Sequence, residues 1–368
     1  MKTQTNVTTT RSALFQGKNA VKSCQSGQLQ TQTMTEDIDP ETATEDWLMN
    51  EQNEVTDQTL ANYSTVAKKW CQFCEEKGID SMADVSGRTL MRFKQWRADQ
   101  VKTSTVGQNL SCLRRFINHC ENIEAVKLGL LDKVPDVRAR DNSRDEKVDA
   151  ETAESILSYL HRFDYASRRH AIFELIWHTA FRTVTIRSID IDDCYLNIDA
   201  PYIELNNRPD EGTRLKNGLK SEREVSLTKS VADVLQDYIN QNRFDVVDKN
   251  GRNPLFTTRQ GRATKNTIRR DIRTASRPCE YGGGCPFDED PASCNARSNR
   301  HKAGDCPGST TGHPLRRGSI THTHLDNDIP KRVVSDRCDV SVEVLTKHYD
   351  RQTEERKRQI RREYLEGV

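Results

Sequence analysis

The sequence contains no apolar run approaching the ~18 residues needed to span a bilayer. Its opening stretch, MKTQTNVTTTRSALFQGKNA, lacks the apolar core of a secretory leader. The expectation is a cytoplasmic, nucleoid-associated protein with no membrane partner. Net charge is also nearly absent, since 56 Lys and Arg against 55 Asp and Glu leave a formal +1. Attraction to nucleic acid would then have to come from local clusters, because distribution matters more than the sum. Aromatic residues make up only 6% and the hydrophobic set 34%, so modest cores are expected under a polar surface. Paired cysteines are not expected either: the count of 11 is odd, and disulfides are rare in a reducing compartment.

What is present divides the 368 residues into segments. Residues 1–43 are rich in Thr, Gln and Ser with few large apolar side chains, and read as a disordered tail. Residues 44–132 turn helical. Leu60, Tyr63, Val66, Ala67, Trp70, Phe73 and Cys74 recur at helix spacing until Gly78, Leu90 and Phe93 mark a second helix, and Val106 to Cys120 a third. Cys71 and Cys74 form a CxxC pair on an amphipathic helix without a second pair nearby, which favours core packing. Lys102, Arg114 and Arg115 on this bundle are candidates to hold DNA phosphates, contacts that position and do not specify.

Residues 133–149 are polar and proline-containing and read as a linker. Beyond it, residues 150–350 mix helices with short strands at Pro201–Leu205 and Arg223–Leu227, and a charged helical tail covers 351–368. The fold class expected is mainly α with a small β-sheet (α+β). Basic pairs recur beside the candidate catalytic segments, with Arg269, Arg270 and Arg317 as further DNA contacts, and this recurrence favours DNA as the partner.

The chemistry concentrates in GHPLRRGSITHTHLDNDIPKRVVSDRCDVSVEVLTKHYD, residues 312–350. His313 and Arg316 lie one helical turn apart, and Tyr349 closes a second helical run. A guanidinium holds phosphate with paired N–H donors, a histidine moves protons near neutrality, and a tyrosine hydroxyl can attack phosphorus. The set suggests phosphoryl transfer through a covalent tyrosine intermediate. Upstream, Arg182 follows an apolar stretch where an unpaired guanidinium is costly to bury. It needs either an anionic ligand or an acid, with Asp190, Asp192 and Asp193 available for an ion pair. Lys216, with Lys220 as the alternative, sits in a plausible hairpin from which an ammonium could protonate a leaving alkoxide. Cys279, Cys285, Cys294 and Cys306 punctuate a core-poor insert, residues 279–306, and suggest a structural zinc held by four thiolates.

The order Arg182, Lys216, His313-x-x-Arg316, Tyr349 resembles that of the tyrosine recombinases, or phage-type integrases, and especially archaeal members. TAFRTVTIRSIDIDD is similar to the first arginine box of that family, KNGLKSEREVSL to its lysine hairpin, HPLRRGSITH to its HxxR box and VSVEVLTKHYD to its nucleophile segment. The resemblance implies a helical, SAM-like core-binding domain followed by a catalytic domain. It implies a site-specific recombinase acting on double-stranded DNA as a homotetramer on two sites, monomeric or dimeric when free. No cofactor is implied for catalysis. Tyr349 would be the nucleophile, Arg182 and Arg316 the phosphate clamp, His313 the proton acceptor and Lys216 the general acid.

Two departures stand out. Thr185 occupies the position where the family commonly has an acid, and Val340 the position, nine residues before Tyr349, where it has a second His or Trp. His322 or His324 is an alternative donor in place of the latter. A type IB topoisomerase-like nicking-closing enzyme, or a non-catalytic DNA-binding protein of the same fold, remain the other readings at this stage.

Overall fold

The computed structural model describes residues 37–137, 146–327 and 329–349, with Glu355, Arg358, Gln359 and Arg362 beyond them. The chain divides into two compact units, Met1–Ser143 and Arg144–Val368. Most of the expected tail, the middle of the expected linker and most of the C-terminal stretch lie outside the described residues.

The first unit packs α1 (Pro40–Glu51), α2 (Asp57–Lys77), α3 (Gly87–Ala98) and α4 (Thr103–Asn122) around one apolar core. Local signals set the ends: Asp39 accepts from the Glu41 and Thr42 N–H groups, Ser86 and Thr89 form a reciprocal cap, and Gly78 closes α2 at φ 63°. Trp47, Trp70, Phe73, Phe93 and Phe116 fill the interior, with Trp70 and Phe93 meeting edge to face at 5.2 Å. The expected tail therefore ends earlier than residue 43, because α1 buries Ala43 and Trp47 in this core. The expected linker is shorter too: Val134 packs into the first core and Val148 into the second. Cys71 lies against Thr44, and burial pushes the Cys74 thiol up to about 12, so both behave as packed, protonated thiols.

The second unit begins with α5 (Ala150–Phe163), α6 (Arg168–Thr179) and the short α7 (Thr183–Ser188). An antiparallel sheet follows, β1 (Cys194–Tyr195), β2 (Tyr202–Leu205) and β3 (Arg223–Ser226), in that spatial order. Ile203 pairs with Val225 and turns inward with it, whereas the alternate pair Glu204 and Glu224 lies on the other face. Next come α8 (Lys229–Asp237), the two-residue strands β4 (Thr257–Thr258) and β5 (Gly261–Arg262), and α9 (Lys265–Ala275). Within the cysteine-rich insert lie α10 (Pro278–Tyr281) and α11 (Asn295–Ser298), and the chain continues through α12 (Gly312–Ser319), α13 (Lys331–Cys338) and α14 (Val342–Tyr349). This mainly helical unit with small antiparallel sheets is the α+β class expected. Among the described residues no helix is long and apolar enough to cross a membrane.

The largely buried α6 serves as the axis of this unit, carrying Ile172, Phe173, Leu175 and Ile176 into the core. Against it lies α12, and Gly318 makes that approach possible. A Cβ at Gly318 would stand 2.1 Å from the Val148 carbonyl and 2.9 Å from the Trp177 ring. The Val148 N–H donates to the Pro314 carbonyl, and the Ser319 hydroxyl donates to the Trp177 carbonyl at 2.6 Å. Backbone cannot yield as a flexible side chain does, so Gly318→Ala is expected to destabilise the protein by about 1–3 kcal/mol, the usual cost of overpacking. Chemical denaturation measures this; an unchanged midpoint would mean that α12 does not sit as close to Val148 as described here.

Candidate active site

Arg182 and Arg316 come from distant parts of the sequence and meet at the C-terminus of α13. Arg182 is the residue immediately preceding α7, held in extended conformation by the left-handed Ala180 (φ 56°) that stops α6. Its guanidinium donates to the Asp339 carboxylate at 2.5 Å and to the Asp339 carbonyl at 2.6 Å. Arg316 lies one turn into α12, is 5% exposed, and donates to the Ala180 and Cys338 carbonyls, the latter at 2.7 Å. Its third contact, longer at 3.4 Å, is to the same Asp339 carbonyl that Arg182 uses. The two cations thus converge on one oxygen.

The acids weighed as structural partners for Arg182 are engaged elsewhere or not paired with it. Asp193 takes Arg208 at 2.6 Å, and Asp190 takes Arg262 at 2.5 Å with Arg252 at 3.3 Å. Those pairs bind α7, the sheet and β5 into one charged scaffold. Arg182 is left to a single acid, Asp339, which the sequence reading did not single out.

His313 stands on the first turn of α12. Gly312 lets that turn approach α7 closely, since a Cβ there would lie 2.6 Å from the Thr183 hydroxyl. Although the residue is exposed at the surface, partial desolvation of its ring lowers the His313 pKa from 6.5, and the Arg316, Arg317 and Arg182 cations lower it further. Around neutral pH the ring is therefore mainly the neutral base, in the form that can accept a proton.

Lys216 and Lys220 both lie exposed on the loop between β2 and β3. The expected simple hairpin is instead a long excursion containing a turn of helix at Gly218–Ser221. Its two sides are tied to Asp339: Asn217 donates its side-chain amide at 2.8 Å, and the Ser221 hydroxyl donates at 2.8 Å. Arg223 at the start of β3 lies over the Phe181 ring and donates to the Arg337 carbonyl, so the loop is anchored to α13 twice.

Tyr349 ends α14, and its side chain lies outside the described residues. Among the α14 side chains that are described, Leu345 is the buried one; it packs with Ala180, Ile320, Leu325, Val334 and Cys338. Val340 is partly buried against the same cluster, which is why an apolar residue suits the position where a second His or Trp was expected. His322, one alternative donor, pairs through Nδ1 with Asp326 at 2.8 Å and stacks near Trp177. His324 is buried at 3% exposure.

The expected DNA contacts fall in different surroundings. Lys102 and Arg269 are exposed, Arg115 is exposed above the Tyr63 ring, and Arg270 and Arg317 are half-buried, with Arg270 beside His301. Arg114 is committed within its own unit, donating to Asp136 at 2.9 Å and to the Val134 carbonyl at 3.0 Å.

The four insert cysteines do not form the expected tetrahedral set. Among the described residues the one group of three or more His, Cys, Asp or Glu with donor atoms within 4.8 Å is His161, His170 and Glu174. Two arginines hold the insert: buried Arg277 donates to the Ala296 carbonyl at 2.7 Å and to Glu280 at 2.7 Å, and exposed Arg300 reaches the buried Asp271 at 2.7 Å. As arranged, these thiols do not fit a closed four-thiolate zinc site. In the His161 group, the Ala166 N–H donates to His170 Nδ1 at 3.0 Å. The neutral ring then carries its proton on Nε2, facing His161 Nδ1 at 2.8 Å, which describes a hydrogen-bonded pair and not a ligand set.

The fold is that of the tyrosine recombinases. The chain is similar to the Tn1549 transposon integrase in complex with transposon right end DNA (TM-score 0.63, 12% identity, 88% of this chain and 98% of that one). It is similar also to a lambda integrase tetramer bound to a Holliday junction (0.58, 12%, 86% and 80%) and to XerH recombinase bound to its difH substrate (0.59, 11%, 88% and 84%). No curated protein matches the sequence. The family model for the phage integrase family matches residues 146–356, more than half of the 368, and the chain belongs to that family: it is a site-specific DNA recombinase, an enzyme that breaks and rejoins DNA strands.

The electrostatics of His313 can be tested directly. In the free protein its ring should titrate below 6.5 by NMR, and Arg317→Gln should move that value upward by removing one of the cations that lower it. A value at or above 6.5, insensitive to Arg317, would contradict the assigned surroundings.

Proposed function

We propose that this recombinase cleaves double-stranded DNA by in-line attack of the Tyr349 hydroxyl on the scissile phosphorus. The bond from phosphorus to the tyrosine oxygen forms as the bond to the 5′-oxygen breaks, leaving a 3′-phosphotyrosine and a free 5′-hydroxyl. The phosphodiester energy is kept in the covalent intermediate, so religation by another 5′-hydroxyl reverses the step. The tyrosine proton passes to neutral His313. Lys216 protonates the departing 5′-oxygen, with Lys220 on the same loop as the alternative donor. Arg182 and Arg316 neutralise the non-bridging oxygens, and preorganised cations of this kind are a large term in transition-state stabilisation.

The observation that carries this reading is the convergence of both guanidinium groups on the Asp339 carbonyl, at 2.6 and 3.4 Å. A phosphate presents several oxygens to such a cluster, and a binding-only protein has no need to aim two arginines from separate elements at one point. In the free chain their donors rest on carbonyl oxygens at a helix C-terminus, where the dipole favours cations. DNA phosphate would replace part of that set. By analogy with the lambda integrase tetramer on a Holliday junction, four protomers would act on two sites, from a monomeric or dimeric free state. An enzyme that works on DNA would act in the cytoplasm at the nucleoid.

The test is covalent trapping. Nicked duplexes drawn from DNA flanking the gene are incubated with the protein and resolved on denaturing gels, with Tyr349→Phe alongside. A protein–DNA adduct that the Phe variant abolishes is expected. Tight binding without any adduct would contradict the proposal and favour a non-catalytic DNA-binding role.

A further inference from the structure

Asp339 is the point through which three parts of the site are joined. It caps α13 with φ 51°, a left-handed conformation that Asp and Asn tolerate better than other side-chain-bearing residues. Its carbonyl accepts from Arg182 and Arg316. One carboxylate oxygen accepts from Arg182 at 2.5 Å and from the Ser221 hydroxyl at 2.8 Å, and the other accepts from the Asn217 amide at 2.8 Å. Asn217 and Ser221 are the immediate neighbours of Lys216 and Lys220. Three residues further on, the chain enters α14, which ends at Tyr349.

We propose that Asp339 is a positioning residue of the recombinase: its carboxylate fixes the Arg182 guanidinium and, through Asn217 and Ser221, sets the loop that carries the general-acid lysine. The proposal rests on the phosphotyrosine reading above and deepens it. Thr185, 6% exposed, offers no carboxylate to Arg182 from its own helix, so the anchoring charge comes from α13. A long arginine side chain loses rotamer freedom when fixed, and an ionised partner compensates for that loss before DNA arrives. The same carboxylate accepts from neutral donors on the lysine loop, so the clamp and the proton donor move as one body. Three N–H bonds of Arg182 remain for phosphate after its two bonds to Asp339, since the guanidinium carries five donors. Asp339 therefore orients the arginine without consuming it.

The experiment compares single-turnover cleavage on two nicked duplexes, one ordinary and one with sulfur in place of the scissile 5′-bridging oxygen. A 5′-thiolate leaves without needing a proton, so that substrate is blind to the general acid and still needs the arginine clamp. Asp339→Asn keeps the left-handed backbone accessible and removes the charge; Asn217→Ala spares the Arg182 pair and removes one tie to the loop. DNA affinity and melting temperature are measured in parallel. Asp339→Asn should slow cleavage about 10- to 100-fold on the oxygen substrate, as loss of a group that orients a first-contact residue commonly does, and less on the sulfur substrate, with affinity nearly unchanged. Asn217→Ala should be slow only on the oxygen substrate. Wild-type or faster cleavage by Asp339→Asn would overturn the proposal and mark the carboxylate as a spectator or a plug. Equal slowing of Asn217→Ala on both substrates would overturn the link to the lysine loop. Failure of the wild-type protein to form any adduct would instead defeat the phosphotyrosine reading itself, and is read separately.

Discussion

The proposed active site is built on a helix C-terminus that faces two arginines. The carbonyls of Cys338 and Asp339 close α13, where orphan oxygens and the negative end of the helix dipole seek donors. Arg316 from α12 and Arg182 ahead of α7 supply them, with the Asp339 carboxylate adding a full charge. Neither guanidinium could be left half-buried without such partners, because an unpaired charge out of water is costly. The same contacts that make burial tolerable also aim both cations at one point. Packing determines how α12 reaches it: Gly318 against the Val148 carbonyl and Gly312 against Thr183 bring α12 to α6 and α7.

The helix that ends at Tyr349, the proposed nucleophile, is attached more lightly. Leu345 is the buried side chain among those described in α14, set into a small cluster with Val334, Cys338 and Ile320, while its described neighbours are exposed. A segment held by few apolar contacts opens at lower free energy than the core it borders. That arrangement suits an enzyme whose tyrosine must engage and leave a phosphate, while the arginines remain fixed to α13.

Much of this was readable from residue types in order. Arg182 and Arg316 could be singled out because each carries distinct chemistry in a recognisable segment, and the end of α2 followed from Gly78, whereas the Asp39 cap of α1 lay inside the stretch read as a tail. Sequence could not reveal which acid pairs with Arg182. Asp190 and Asp193 lie nearer in the chain than Asp339, yet their partners are Arg208, Arg252 and Arg262, a choice made by tertiary packing. Nor could sequence reveal that Arg114, a candidate phosphate contact, pairs with Asp136 at the surface. The cysteine insert shows a related limit: a core-poor segment needs some replacement for a core, and sequence could not reveal that Arg277 and Arg300 hydrogen-bond buried carbonyl and carboxylate oxygens there. The one available hint at Asp339 was its place between a helical run and Val340, where a cap of left-handed geometry suits Asp.

The central claim is that Arg182 and Arg316 act on a single phosphate as one unit, and a double-mutant cycle on the cleavage step tests it most directly. Arg182→Gln, Arg316→Gln and the double variant are compared with the parent protein in single-turnover adduct formation at saturating enzyme. Each single change should slow cleavage by about 10²- to 10³-fold, the scale of losing one preorganised charge donor, and the double variant should be little slower than the worse single one, as for residues that function together. Losses that multiply in full would show two cations working independently, and would contradict the shared-phosphate geometry.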